Sequence, residues 1–200
     1  MAPSHSELNN FTSIYNHLVS TYSYPILPSP SPNPHSKQIS HAITNLSLHP
    51  TLEALLHILN ADLSSAHFLC RHMESAPAYE AMFIHGLLHR VEGDYRNTDA
   101  WYGDVSESEV FHKVWGSDGG LEGAKEFVKR AEGLRKEGKG DKQALVKESG
   151  REIEALKDYL LNKFGTEQIK DATTVWVGKS EKAKEAAKNM VVGGEGWRQF

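Results

Sequence analysis

The stretch "TLEALLHILNADLSSAHFLCRHM", residues 51–73, is matched 32 residues later by "FIHGLLHRVEGDYRNTDAWYGDV", residues 83–105. The identical pairs are Leu55 and Leu87, Leu56 and Leu88, His57 and His89, and Asp62 and Asp94. In each copy a helical pattern leads to a turn whose aspartate can cap a second helix. A small residue, Ala66 or Thr98, then follows where the two helices would cross. The sequence therefore predicts two consecutive helical hairpins at 51–105.

The second copy resembles a tetratricopeptide repeat (TPR) over about 23 residues. Gly86, the turn at residues 93–95 and the pair Trp101 and Tyr102 stand at that family's spacing, and Gly86 would allow a close helix approach. Thr98 replaces the usual alanine, however, and the offset of 32 differs from the usual one of about 34. No third copy of the repeat can be recognised in the sequence on either side. We therefore expect TPR-like antiparallel hairpins inside an irregular helical domain.

A second resemblance covers roughly residues 50–115. It rests on His85, Gly86, His89, Arg90, Glu92, Asp94, Asn97, Trp101 and Tyr102. This pattern is similar to that of an uncharacterised protein family found in bacteria and fungi. The resemblance implies that this chain groups with those proteins and shares this set of polar residues with them. It implies no particular reaction.

The rest of the chain is predicted to be helical, and only "TTVWV" at 173–177 looks like a strand, so the predicted class is all-α. Five prolines between residues 25 and 34 predict an extended spacer. The predicted organisation is an N-terminal amphipathic helix in 1–22, a Pro/Ser-rich connector in 23–36, a single helical domain in 37–177 with the double hairpin at 51–105, and a C-terminal helix with a Gly-rich tail in 178–200.

Composition narrows the function classes. The net charge of −4 provides no basic field for nucleic acid, and no apolar run reaches the ~18 residues of a membrane span. The single cysteine, Cys70, excludes an internal disulfide framework, and its apolar setting predicts a core residue. These features favour a cytoplasmic or nuclear protein.

Trp115 is expected to be a buried anchor, and the tail with Trp197 is expected to dock on the protein's own helices.

The helix predicted at about 80–92 has an apolar side and a polar stripe of His85, His89 and Glu92 at spacings of four and three. Two histidines and a carboxylate are typical ligands of a divalent metal such as zinc. In this interpretation a third histidine, His67 or His72, comes from the preceding hairpin. Glu92 then serves as an oxygen ligand or as a base.

Two other interpretations of the stripe remain open. In the first, a small anionic ligand binds, and histidine acts as an acid or base near neutral pH. Its candidate binding residues are Arg71, Arg90, Asn97, Trp101 and Tyr102, and its candidate catalytic residues are His85, His89, Arg90 and Glu92. In the second, there is no ligand: each imidazole bonds a neighbour such as Asn97 or Tyr102, and Arg90 pairs with Glu92 or Asp94.

The hairpins and the absence of a diagnostic catalytic motif favour a non-catalytic interaction or scaffold protein with a protein partner. The alternative is a metal-binding or anion-binding protein, or an enzyme, that uses the polar stripe.

Overall fold

The computed structural model describes residues 8–26, 33–178 and 184, and these residues form an all-α fold without strands. The helices are α1 (Phe11–Thr21), α2 (Lys37–Leu46), α3 (Pro50–Leu59), α4 (Leu63–Arg71), α5 (Tyr79–Glu92), α6 (Tyr95–Val105), α7 (Glu109–Trp115), α8 (Gly120–Glu137) and α9 (Lys142–Phe164). Short 3₁₀ turns lie at Gly116–Asp118 and Ala172–Val175. The predicted fold class is confirmed. None of these helices is long and apolar enough to cross a membrane.

Local signals in the sequence explain most helix boundaries. Asn10 begins α1, because its side chain accepts a 2.9 Å hydrogen bond from the Ser13 N–H. Gly165, at φ +65°, ends α9, as the sequence predicts. The strand-like "TTVWV" is not a strand: its first three residues belong to a 3₁₀ turn, which begins where the Asp171 carboxylate accepts the Thr173 N–H at 2.9 Å. Apart from Gly178 and Lys184, the predicted C-terminal helix and tail lie outside the described residues.

The two hairpins, α3 with α4 and α5 with α6, have the same turn. The Asp62 N–H donates to the His57 carbonyl at 2.8 Å, and the Asp94 N–H donates to the His89 carbonyl at 2.8 Å. Each aspartate also accepts the backbone N–H three residues further on, at 3.3 and 3.1 Å. The residue before each aspartate has a positive φ, +55° in the first turn and +84° in the second. The internal repeat is therefore a structural repeat.

The close approach of α5 and α6 requires glycine at position 86. A Cβ atom built there would lie 2.8 Å from two ring atoms of Tyr102, which is fully buried. The first hairpin has Ala54 and Cys70 at the equivalent positions, and both are buried. Cys70 is smaller than Tyr102, so the first hairpin can have alanine at position 54. In the second hairpin the Tyr102 ring leaves no room for a methyl group at position 86.

A buried carboxylate, that of Glu152, connects α9 to three other helices. It pairs with the Arg90 guanidinium and accepts hydrogen bonds from the Tyr102 hydroxyl at 2.6 Å and the Trp115 Nε1–H at 3.2 Å. The Arg90 and Glu152 side chains are both fully buried. Arg90 also lies over the Phe127 ring, 4.7 Å from its centroid. Trp115 is thus the buried anchor that the sequence predicts.

The described ends of the proline-rich connector are bound to the core rather than free. The Pro25 carbonyl accepts hydrogen bonds from Arg90 Nη1 at 3.2 Å and from the Ser149 hydroxyl at 2.9 Å. The His35 N–H donates to the Asn60 carbonyl at 2.8 Å. The connector was expected to be a plain spacer, but these contacts place α1 and its following residues in the same core as the hairpins.

The first prediction concerns Gly86. We expect Gly86→Ala to lower the free energy of unfolding by about 1–3 kcal/mol, because the buried Tyr102 ring cannot yield to the added methyl group. Gly103 in α6 is the matched control, since a Cβ there meets nothing within 4 Å. Gly103→Ala should be neutral or stabilising by up to about 1 kcal/mol. Urea denaturation measures both. Equal effects of the two substitutions would contradict the close approach.

The second prediction concerns the buried ion pair. Arg90→Met leaves the Glu152 carboxylate buried without its cation, and we expect it to cost about 3–5 kcal/mol in urea denaturation. Arg130→Met is the control, because Arg130 pairs with Glu148 at the surface, where its side chain is 43% exposed. That control should cost less than about 1 kcal/mol. A loss for Arg90→Met no greater than that of the control would show that the pair is not structural.

Candidate functional site

The predicted polar stripe lies between the two hairpins, where α5 packs against α4. On α5, His85, His89 and Glu92 share one side of the helix, as their spacing predicts. His67 on α4 meets them from the first hairpin, with its ring centroid 5.3 Å from those of His85 and His89. We name these four side chains the histidine cluster. The structure selects His67 over His72 as the third histidine, since the His72 ring stacks instead on Trp176 at 4.1 Å.

Glu92 is the centre of the histidine cluster. Its Oε1 accepts a hydrogen bond from His67 Nε2 at 2.8 Å, and its Oε2 lies 3.3 Å from His89 Nδ1. The second contact is close enough for electrostatic attraction but is not aligned as a hydrogen bond. The side chains of His67, His89 and Glu92 are 16%, 13% and 29% exposed, so solvent reaches all three.

Electrostatics keep Glu92 ionised at neutral pH. Burial by itself raises the pKa of its carboxyl group, but the contacts with His67 and His89 outweigh burial and lower the pKa to about 2. The site thus contains a fixed negative charge between two imidazoles.

His85 lies beneath this group and is held between two rings. It stacks on Trp101 of α6 at 4.6 Å and on His89 at 4.8 Å, and only 4% of it is exposed. Burial, followed by electrostatic interactions with His89, His67 and Arg71, lowers the pKa of His85 to about 2. His85 is therefore a neutral imidazole at neutral pH.

Several buried nitrogens of the cluster have no hydrogen-bond partner among the described residues. They are Nδ1 of His67, His85 and His89, and Nε1 of the adjacent Trp101. Buried polar groups are usually paired, and an unpaired one costs stability. The protein alone therefore satisfies this cluster poorly, which disfavours the interpretation that its histidines only hold the hairpin together.

The partners proposed for that structural interpretation are engaged elsewhere. The Asn97 side chain donates to Asp94, and the Tyr102 hydroxyl donates to Glu152. Arg90, expected to pair with Glu92 or Asp94, instead pairs with Glu152. The predicted local pairings are therefore wrong, because the partner of Arg90 is Glu152, which lies 62 residues away along the chain.

The five residues proposed to bind an anion are likewise not brought together as one set. Arg90, Asn97 and Tyr102 make the contacts just described, so they serve the core and the α6 cap. Trp101 lines the histidine cluster through its stack on His85, and Arg71 is an exposed residue whose charge acts on His85. Of that set, therefore, only Arg71 and Trp101 lie beside the cluster.

The first hairpin contains no matching cluster. His57, the counterpart of His89, lies with its Nδ1 3.2 Å from Asp62 Oδ2. Asn60 takes the position of Glu92, and its amide donates to the Ser36 carbonyl at 2.8 Å and to the Ser40 hydroxyl at 2.9 Å. The same turn therefore serves a structural purpose in the first hairpin and carries a cluster of titratable side chains in the second.

The arrangement has the chemistry of a metal site. His67, His89 and Glu92 each offer one ligand atom, and the three atoms lie within 4.8 Å of one another. Among the described residues, this is the one group of three or more possible metal ligands. The sequence names all three members, although it leaves open which histidine of the first hairpin joins them. His85, which the sequence also proposes as a ligand, is not part of this group.

No protein-family model, no curated protein and no solved structure matches the chain. The likeness to TPR hairpins and the likeness to the bacterial and fungal family stay predictions.

Proposed function

We propose that this chain is a helical metal-binding protein in which His67, His89 and Glu92 bind one divalent transition metal ion, with zinc as the first candidate. The convergence of their three ligand atoms within 4.8 Å is the observation that carries the proposal.

The donor types support a transition metal. Imidazole nitrogen together with one carboxylate oxygen is a ligand set of zinc, and imidazole also suits copper, iron and nickel. Calcium and magnesium prefer sites made of oxygen ligands. A set of two histidines and one glutamate therefore favours the first group over the second.

The distances support binding with small side-chain adjustments. Donor atoms around a tetrahedral zinc ion lie about 3.3 Å apart, given Zn–N and Zn–O bonds of about 2.0–2.2 Å. His67 Nε2 lies 2.8 Å from Glu92 Oε1, and His89 Nδ1 lies 3.3 Å from the other carboxylate oxygen, Oε2. A bound ion would replace the proton that His67 now shares with Glu92.

The number of ligands also bears on function. Three protein ligands leave at least one coordination position for water or another ligand, as in catalytic zinc sites, whereas structural zinc sites are closed by four. Partial exposure of the three side chains gives solvent a route to the ion. We therefore favour a metal that exchanges ligands, and such a metal lowers the pKa of a bound water molecule.

An interaction or scaffold role is the second candidate. A surface group of aromatic rings supports it: Phe68 is 57% exposed, its ring lies 4.7 Å from that of His72, and the Trp176 ring stacks on His72 at 4.1 Å. Exposed aromatic rings are enriched in protein interfaces. This surface does not depend on the metal, so the two roles are separable.

The third prediction tests the metal. Protein purified from metal-replete medium should contain about one zinc or other transition metal ion per chain by elemental analysis. His67→Ala, His89→Ala and Glu92→Gln should each weaken zinc affinity by about 100-fold or more, since even the loss of an outer-shell partner costs 10–100-fold.

His41→Ala is the control, because His41 is an exposed residue of α2 outside the histidine cluster. Circular dichroism spectra establish that each variant is folded. Metal-free wild-type protein, or zinc affinity that falls no further in the three variants than in His41→Ala, would contradict the proposal and leave the interaction role.

A further inference from the structure

The proposed metal ion together with its three protein ligands carries a net positive charge. The metal-ligand group contains one carboxylate, Glu92, and two histidines that bind metal in their neutral form. A divalent ion with these ligands keeps a net charge of about +1. Asp94 is a further carboxylate 4.0 Å from His89 Nδ1 that offsets part of this charge, and it also accepts hydrogen bonds from the backbone and side chain of Asn97.

Arg71 adds a second positive charge. It lies one helical turn after His67 on α4, so the two side chains share one side of that helix. It is exposed, and within the part of the chain that the structure describes no hydrogen bond or ion pair engages it. A guanidinium group without such a partner presents several N–H donors in one plane, and this arrangement suits an oxyanion.

The buried side of the cluster offers further polar atoms. His85 is 4% exposed, and its Nδ1 has no partner among the described residues. The indole Nε1–H of Trp101 is buried and without a described partner as well, and indole nitrogen is only a donor. A neutral imidazole can present a ring N–H or accept one, according to its tautomer.

We infer that the metal site takes an oxyanion, a carboxylate or a phosphate, which completes the metal's coordination and is held by the guanidinium of Arg71. This inference rests on the proposed metal function. It combines the metal and anion interpretations in one site. Arg71 is the residue assigned to bind the anion, because Arg90 is already paired with Glu152.

The experiment has two steps that fail separately. First, cobalt(II) is titrated into metal-free protein, and visible d–d absorption bands report coordination by His67, His89 and Glu92. Second, inorganic phosphate or acetate is added at constant ionic strength, and a change in those bands reports anion coordination. The two anions distinguish a phosphate ligand from a carboxylate ligand.

Arg71→Gln should bind cobalt with an affinity within about twofold of wild type and should lose about 10-fold or more in affinity for the effective anion. Arg71→Lys should fall between the two, since lysine keeps the charge but not the fork of donors. Lys113→Gln removes an equal charge from an exposed position of α7 and should change neither affinity.

The outcomes are distinct. Absence of cobalt bands would overturn the metal function and this inference together. Cobalt bands that neither phosphate nor acetate alters would overturn the inference alone. Anion affinity that is the same in Arg71→Gln and Lys113→Gln would also overturn it, because it would show binding of the anion by the metal without Arg71.

Discussion

The buried ion pair between Arg90 and Glu152 is the constraint on which the rest of the structure depends. Both side chains are fully buried, so each needs the other, and the pair is completed by the Tyr102 hydroxyl and the Trp115 indole. Through these contacts α9 fixes the positions of α5, α6 and α7. Burying charge is expensive, and hydrophobic replacements of buried pairs are often as stable. The arrangement therefore specifies which helices meet more than it adds stability.

This constraint bears directly on the histidine cluster, because α5 belongs to both. One side of α5 is fixed by Arg90 and by the close contact of Gly86 with Tyr102. The other side presents His85, His89 and Glu92 to His67 on α4. Rotation of α5 would break the Arg90–Glu152 pair and the contact between Gly86 and Tyr102. A rigid helix surface is the support that a metal site needs to hold its ligands in geometry.

The sequence predicts what depends on short spacings, and it does not predict contacts between distant segments. The repeat, its capping aspartates and the stripe on α5 follow from local pattern, and the structure has all three. Glu152 was missed because its partner is 62 residues away. A signal existed: Leu145, Ser149, Glu152 and Leu156 follow helical spacing, so the carboxylate lies on a buried stripe and requires a buried cation. The choice between His67 and His72 likewise needed the packing of α4 on α5, because both histidines belong to the first repeat.

The central claim is that α4 and α5 together hold a metal ion through one nitrogen from each helix and the carboxylate of Glu92. Anomalous X-ray scattering at the zinc edge, from crystals grown with one equivalent of zinc, tests it most directly. The account predicts a peak between the two helices, about 2.0–2.2 Å from ligand atoms of His67, His89 and Glu92. A map without a peak there, or with zinc bound only elsewhere on the surface, would contradict it.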